Sequence, residues 1–302
     1  MVVQQLINGL VLGSIYALIA LGYTMVYGVL KLINFAHSEI FAAGAFAGYF
    51  ARKLLHAPWP LAMLIAMVVT ALLGVTIERF AYRPLRRAPR LAALITAIGV
   101  SLFLQNLGVL TLGASPRGYP PSVAPHTFAW PQQHLGVTLT NQQVIIFALT
   151  VGVWLVLRLV VQHTRLGRAM RAVSHDKEAA QLMGINVDHV ISATFALGSA
   201  FGAVAGIMYG AYYNTIDPLM GYIPGIKAFV AAVLGGIGNI TGAMLGGLLM
   251  GLVETLVSSQ TLHLPGGAVL VGSTLRDAVA FAILIAVLLV RPTGIMGRRE
   301  KG

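Results

Sequence analysis

Residues 164–184 read TRLGRAMRAVSHDKEAAQLMG, a polar and basic stretch in a chain that is otherwise very apolar. Long apolar runs flank it on both sides. A segment with this many charged side chains cannot lie in hydrocarbon, where each charge is costly. It is therefore expected to be a cytoplasmic loop between two membrane spans, covering residues 163–189.

The rest of the composition agrees. The chain has 302 residues, of which 57% are hydrophobic and 10% charged; mean hydropathy is +0.82. A soluble domain of this size carries far more charge. The apolar segments are continuous runs that do not alternate, so a β-barrel is disfavoured. The expected fold is an all-α integral membrane protein: one polytopic helical bundle over residues 1–302 with about eight to nine membrane segments. Cysteine is absent, which leaves no disulfide framework, thiol nucleophile or thiolate metal site. The start, MVVQQLINGL, has no basic region, so the first span is expected to insert and stay. The net charge of +11 would suggest nucleic acid in a soluble protein. Here the positive residues sit in loops, where they hold those loops in the cytoplasm.

The spans fall at 5–29, 34–52, 58–79, 91–113, 142–162, 190–213, 225–237, 240–258 and 274–290. Most match the length needed to cross about 30 Å of hydrocarbon. The segment 34–52 is rich in small and polar residues, and 225–237 is short. Three basic clusters mark the cytoplasmic side: Arg79, Arg83, Arg86, Arg87 and Arg90; Arg158, Arg165, Arg168, Arg171 and Lys177; and Arg291, Arg298, Arg299 and Lys301. Residues 114–141 hold one Arg and the prolines Pro116, Pro120, Pro121, Pro125 and Pro131, and are expected outside. Their aromatics, Tyr119, Phe128 and Trp130, suit interfacial anchoring or a docking role. Counting back from a cytoplasmic tail puts the amino terminus outside. Arg52 and Lys53 then fall on the side that charge disfavours.

Two segments look interrupted. Residues 28–48 hold Lys31, Asn34, His37 and Glu39 before a Gly/Ala-rich run. Residues 225–247 hold Lys227, the helix-breaking Gly235, Gly236 and Gly238, then Asn239. Broken backbone at membrane depth must be buried in protein or line a cavity, and paired breaks point to a transport path. Asn34, His37, Glu39 and Asn239 are thus candidate path residues, with interhelical hydrogen bonding the rival role. For Gly242/Gly246 and Gly247/Gly251 the rival is close helix packing. Arg276 and Asp277 are expected to neutralise each other at a helix end; Glu254 is a further intramembrane charge, and Glu78 and Arg79 fit the cytoplasmic interface.

In the opening stretch, Ser174 and Asp176 are good helix starters and Glu178 adds negative charge near a helix amino terminus. Ala179, Ala180, Leu182 and Met183 favour helix, and Gly184 terminates it. One short helix of about two turns is expected. Arg165, Arg168 and Arg171 precede it and can meet acidic groups or lipid phosphates. Catalytic signatures are missing. No GxxxxGK[ST] occurs, so nucleotide has no P-loop here; HExxH is also absent. No metal site is expected, no nucleophile–base pair converges, and the potassium filter TVGYG is not present.

The order Glu178-Ala179-Ala180-x-x-x-Gly184 resembles the EAA signature in membrane subunits of ATP-binding-cassette importers. More broadly, the chain resembles Liv-type permeases of bacterial branched-chain amino acid importers. The matching stretches are GLVLGSIYALIALGYTMVYGVLKLINFAHSE (9–39), LGRAMRAVSHDKEAAQLMGINVDHVI (166–191), GIKAFVAAVLGGIGNITGAMLGGLLMGLVE (225–254) and RPTGIMG (291–297). Ser38 departs from the family, which usually has Gly there. The resemblance implies a helical bundle similar to type II importer permeases, in the inner membrane. It implies that Arg165, Arg168, Arg171, Asp176, Glu178, Ala179, Ala180 and Gly184 meet an ATP-binding subunit. The implied partners are two ATP-binding subunits that hold ATP and Mg, a second related permease, and a periplasmic substrate-binding protein. No cofactor is expected on this chain. Branched-chain amino acids are the expected cargo. Alternatives are urea, short amides or other amino acids, or a secondary transporter in which His37, Glu39 and Glu254 relay protons.

Overall fold

The apolar run after the first residue forms one long helix, α1 (Val2–Leu30). It is hydrophobic on every side, the pattern of a helix enclosed by others, and it is buried almost throughout from Val11 to Val26. The structure, a computed structural model, describes residues 2–86, 88–121, 123, 126–263 and 269–297. Arg87, Pro125, Arg298, Arg299 and Lys301, which the sequence placed in loops, lie outside the described residues.

After α1 come α2 (His37–Leu55) and α3 (Trp59–Ile77). The latter runs on through a wide turn, Glu78–Tyr82, and a tight one, Arg83–Leu85. Then follow α4 (Arg90–Leu112), the short α5 (Ala129–Leu135) and α6 (Asn141–His163). The loop of the opening stretch holds α7 (Arg165–His175) and α8 (Lys177–Leu182). The remaining helices are α9 (Val187–Tyr213), α10 (Tyr222–Gly235), α11 (Ile240–Ser258) and α12 (Arg276–Val290).

Among the described residues, six helices are long and apolar enough to cross a membrane: α1, Trp59–Leu85, Leu91–Leu112, α6, α9 and α11. α10 is apolar but shorter, α2 carries Glu39, Arg52 and Lys53, and α12 has 15 residues. The protein is a multi-pass membrane bundle.

α1 is surrounded by α9, α10, α11 and α6. Its closest neighbour is α11, which runs antiparallel to it: Gly247 lies against Ala17 and Gly251 against Gly13, with no room for a Cβ at either contact. Without a hydrophobic gain from leaving lipid, such backbone approach is what holds helices together in a bilayer. The other small-residue stripe of α11, Gly242 and Gly246, faces Gly235 and Ala231 of α10. Close packing is thus the role of all four glycines. α4 lies at the periphery, its face away from α2 exposed at Leu91, Ile95, Leu102 and Phe103.

The direction of each helix follows from its ends. At the start of α1, the Gln4 side chain accepts a hydrogen bond from Thr138 N at 2.7 Å, in the proline-rich outer loop. At its other end, Leu30 shares a cavity with the α7–α8 joint. α1 therefore runs from the face that holds residues 114–141, which the charge pattern expects outside, to the basic face of the α7–α8 segment, which it expects in the cytoplasm. α2 returns outward, and Arg52 and Lys53 stand beside Tyr119 of the outer loop. The outer face is laced by a two-residue antiparallel ladder, β1 (Arg117–Gly118) with β2 (Thr215–Ile216). A second antiparallel ladder pairs β3 (Thr261–His263) with β4 (Val269–Val271).

Candidate coupling surface and helix breaks

The loop between α6 and α9 is more helical than the sequence suggested. α7 is a full helix that carries Arg165, Arg168 and Arg171 on its exposed face and buries Gly167, Met170 and Val173 on the other. The arginines therefore belong to a helix and do not merely precede one. The alternation of buried and basic positions is the amphipathic signal that could have revealed it. Thr164 caps α7 by accepting from Gly167 N at 3.0 Å. Gly167 sits against the carbonyls of Val160 and Val161, where no side chain fits. Arg171 donates to the Val161 carbonyl. These contacts pin α7 to the end of α6.

Asp176 then breaks the chain direction with extended backbone and starts α8. Its Oδ1 accepts from Glu178 N at 2.8 Å and Ala179 N at 3.0 Å, so the predicted helix start is where the structure puts it. Ala180 is buried, whereas Glu178 and Ala179 face solvent. Gly184 has φ +81°. The Ile185 amide behind it donates to the Ala180 carbonyl at 3.0 Å, closing the helix end. α8 thus stands out from the helical bundle as a knob. Its tip is Leu182, 88% exposed, and Met183, 83% exposed. The sequence presented these two only as helix formers; their exposure is a tertiary fact. Beside the knob, burial and then the charge of Arg86 push Lys177 below its ordinary pKa.

Arg83 and Arg86 at the end of α3 both pair with Asp188 in the first turn of α9, and Arg86 also pairs with Glu78. Glu78 is fully buried, and Ser192 Oγ donates to it at 2.6 Å. The wide turn Glu78–Tyr82 is the kind of helix irregularity that re-aims side chains: Glu78 and Tyr82 both point inward.

The first helix break, residues 31–36, begins at Lys31, whose φ is +58°. Asn34 Oδ1 accepts from Tyr82 Oη at 2.9 Å, and Asn34 Nδ2 is buried without a partner. α2 starts with no side-chain cap. His37 wedges between Gly22 of α1 and Gly202 of α9, edge-on to Tyr23 with ring centroids 5.0 Å apart. Neither ring nitrogen makes a well-formed hydrogen bond; the Ile19 carbonyl offers only a poorly aligned one. Two residues on, Glu39 Oε1 accepts from Ser38 Oγ at 3.1 Å, Ser101 Oγ at 3.3 Å and Gln105 Nε2 at 2.8 Å. Ser101 and Gln105 come from α4 and were not singled out in the sequence.

The second break, residues 236–239, lies at the cytoplasmic end. Gly236 and Gly238 take φ of +104° and +93°, a region open to glycine. Gly235 itself is still helical, the last residue of α10. Asn239 Oδ1 caps α11, accepting from Thr241 N and Gly242 N at 3.1 Å each. Its Nδ2 donates to the Met296 carbonyl at 2.8 Å. The segment RPTGIMG folds back into this break: Ile295 N donates to the Leu234 carbonyl at 2.8 Å and Met296 N to the Gly235 carbonyl at 3.0 Å. Asn34, His37 and Glu39 are thus gathered at one break while Asn239 works at the other.

Toward the outer face, Lys227 of α10 lies 2.8 Å from both Glu254 of α11 and Asp277 of α12. Tyr16 of α1 donates to Glu254 at 2.9 Å. Asp277 does not neutralise its neighbour Arg276, as the sequence suggested; Arg276 instead reaches Ser258 Oγ at 3.4 Å. Asp277 and Arg276 are consecutive on a helix and point to different sides, so Lys227 competes successfully for the carboxylate.

Comparison with known proteins adds the last observations. The family model described as "Branched-chain amino acid transport system / permease component" matches residues 5–288. The high-affinity branched-chain amino acid transport system permease protein BraD of Pseudomonas aeruginosa is 46% identical, covering 98% of this chain and 96% of its own. The LivH protein of Escherichia coli K12, described in the same words, is 43% identical with the same coverage. That of Salmonella typhimurium is 42% identical, again over 98% and 96%.

Proposed function

The chain belongs to the branched-chain amino acid transport system permease family, and we propose that it is the membrane-spanning subunit through which an ATP-driven importer moves leucine, isoleucine or valine across the bacterial inner membrane. In this reading the chain hydrolyses nothing. Two ATP-binding subunits bind ATP and Mg, a second related permease completes the path, and a periplasmic binding protein delivers cargo. A path walled by apolar side chains with few polar groups suits a zwitterion with an aliphatic side chain.

The α7–α8 knob carries the proposal. Two apolar side chains exposed to more than four-fifths stand at its tip, rimmed by Glu178 and the arginines of α7. On a charged cytoplasmic face, such a tip is the centre of a docking contact, with the charges setting register. α7 touches α1, α6 and α9, so a push on the knob reaches the centre of the bundle. Asn34, His37 and Glu39 line the route at the first break.

The test is reconstitution of the assembled complex in proteoliposomes. ATP-dependent leucine uptake is expected. The double variant Leu182→Asp, Met183→Asp is expected to insert normally and lose binding to the ATPase subunits and uptake together. Gradient-driven leucine flux by this chain alone, without ATPase partners, would sink the reading in favour of a secondary transporter.

A further inference from the structure

α2 ends in two cations, Arg52 and Lys53, on the face where the charge pattern disfavours them. A third, Arg117, is brought to the same corner by β1, which its ladder with β2 holds in place. The contacts that gather them are aromatic. Lys53 Nζ donates to Tyr49 Oη at 3.0 Å. The Arg117 guanidinium lies over the Phe50 ring, 5.7 Å from its centroid, and the Tyr49 and Phe50 rings are 5.3 Å apart. Arg52 borders the recess that Lys53, Tyr49 and Tyr119 share. Among the described residues, no carboxylate pairs with Lys53 or Arg117. The carbonyl end of α2 accounts for cations in its last turn. It does not account for Arg117, which comes from another segment. The apolar surroundings show what this charge stands beside. Leu54 and Leu55, next in the chain, are each 66% exposed. α3 then opens with Trp59 and exposes Leu61, Leu64 and Val68. Tryptophan at the start of a span, with bare aliphatic residues beyond it, marks the headgroup level of a bilayer.

We propose that this corner seats an anionic phospholipid of the adjoining leaflet, with its phosphate among Arg52, Lys53 and Arg117 and its acyl chains along Leu54, Leu55 and Leu61. Cations at headgroup level attract anionic lipid, each contributing about fivefold in affinity. The leucines decide the kind of partner. An acidic protein surface would meet the same charge but has no use for bare aliphatic side chains immediately beside it, whereas a phospholipid carries both chemistries in one molecule. A headgroup held by all three cations ties the end of α2 to the β1–β2 ladder, and through it to the end of α9. It therefore braces the helix that begins at the first break. The inference is independent of the cargo.

The test uses the full chain in nanodiscs and reads the fluorescence of Trp59. The chain has three tryptophans, so Trp130→Phe with Trp154→Phe leaves Trp59 as the reporter beside the site. Phosphatidylglycerol brominated near its headgroup is titrated against unbrominated lipid, and brominated phosphatidylcholine is the neutral control. Quenching by phosphatidylglycerol is expected to saturate at a lower fraction of the lipid than quenching by phosphatidylcholine. Lys53→Gln and Arg52→Gln should each reduce that preference about fivefold, while Lys53→Arg and Arg52→Lys, which keep the charge, should retain it. The charge-keeping pair separates loss of the headgroup contact from loss of the fold. Equal quenching by the two lipids overturns the proposal, as does a preference unchanged in both glutamine variants. In the latter case, weaker binding of the periplasmic delivery protein to the same variants would assign the cations to an acidic protein surface. Inorganic phosphate abolishing the preference at low millimolar concentration also overturns it, marking an anion patch that does not select lipid.

Discussion

The two helix breaks differ in how completely their polar groups are satisfied. At the second, every device of a finished joint is present: two glycines at positive φ, a capping Asn239, and a returning segment whose amides fill the open carbonyls at the end of α10. At the first, α2 begins uncapped, and Asn34 Nδ2 and both His37 nitrogens are buried without well-formed hydrogen bonds. Leaving a buried donor unpaired costs about 1–3 kcal/mol. The comparison teaches that interrupted helices of similar sequence can serve opposite ends. The second break holds shape in the resting bundle. The first leaves buried polar groups of Asn34 and His37 without partners, which is what the proposed route past them would use.

Three substitutions and a pair of cysteine replacements probe this contrast. Gly236→Val has the largest effect, because its backbone is at φ +104° and a Cβ there meets Gly297 N at 2.5 Å. A loss of about 3 kcal/mol is expected, read as a lowered thermal midpoint of the complex in detergent. His37→Leu comes next and goes the other way: it removes unpaired nitrogens, so the resting bundle should gain about 1 kcal/mol while ATP-driven uptake falls. A stability loss as deep as that of Gly236→Val would erase the distinction. Asn239→Ala removes one helix cap and should cost about 1 kcal/mol in the same melt with uptake largely retained. The smallest perturbation is cysteine scanning, which the cysteine-free chain makes clean. Cysteine at position 34 should react with a small hydrophilic thiol reagent in some states of the ATP cycle and not others, whereas cysteine at 239 should react alike in all. Matching profiles at the two positions would mean that the breaks move together.

Much of this was legible in the residues. The spans show as long apolar runs, and their ends shift by only a few residues from the helices, as with 58–79 against Trp59–Ile77 or 240–258 against Ile240–Ser258. Asp176 and Gly184 announced α8 because capping and positive φ are local demands that particular residues meet. What stayed hidden was non-local. Lys227 finds Glu254 and Asp277 on two other helices, and nothing in the spacing announces that triangle. The clasp of RPTGIMG onto α10 is made by backbone amides, which every residue but proline has. Exposure at Leu182 and Met183 is decided by which face α8 turns to the bundle.

The position of α1 bears on how the protein is made. This helix leaves the ribosome ahead of α9, α10 and α11, yet those three form much of its sheath. Its burial is complete only once they have arrived. Its tight seam with α11, Gly13 on Gly251 and Ala17 on Gly247, cannot close until a stretch more than two hundred residues downstream has been inserted. The axle is therefore delivered first, and the wheel is closed around it.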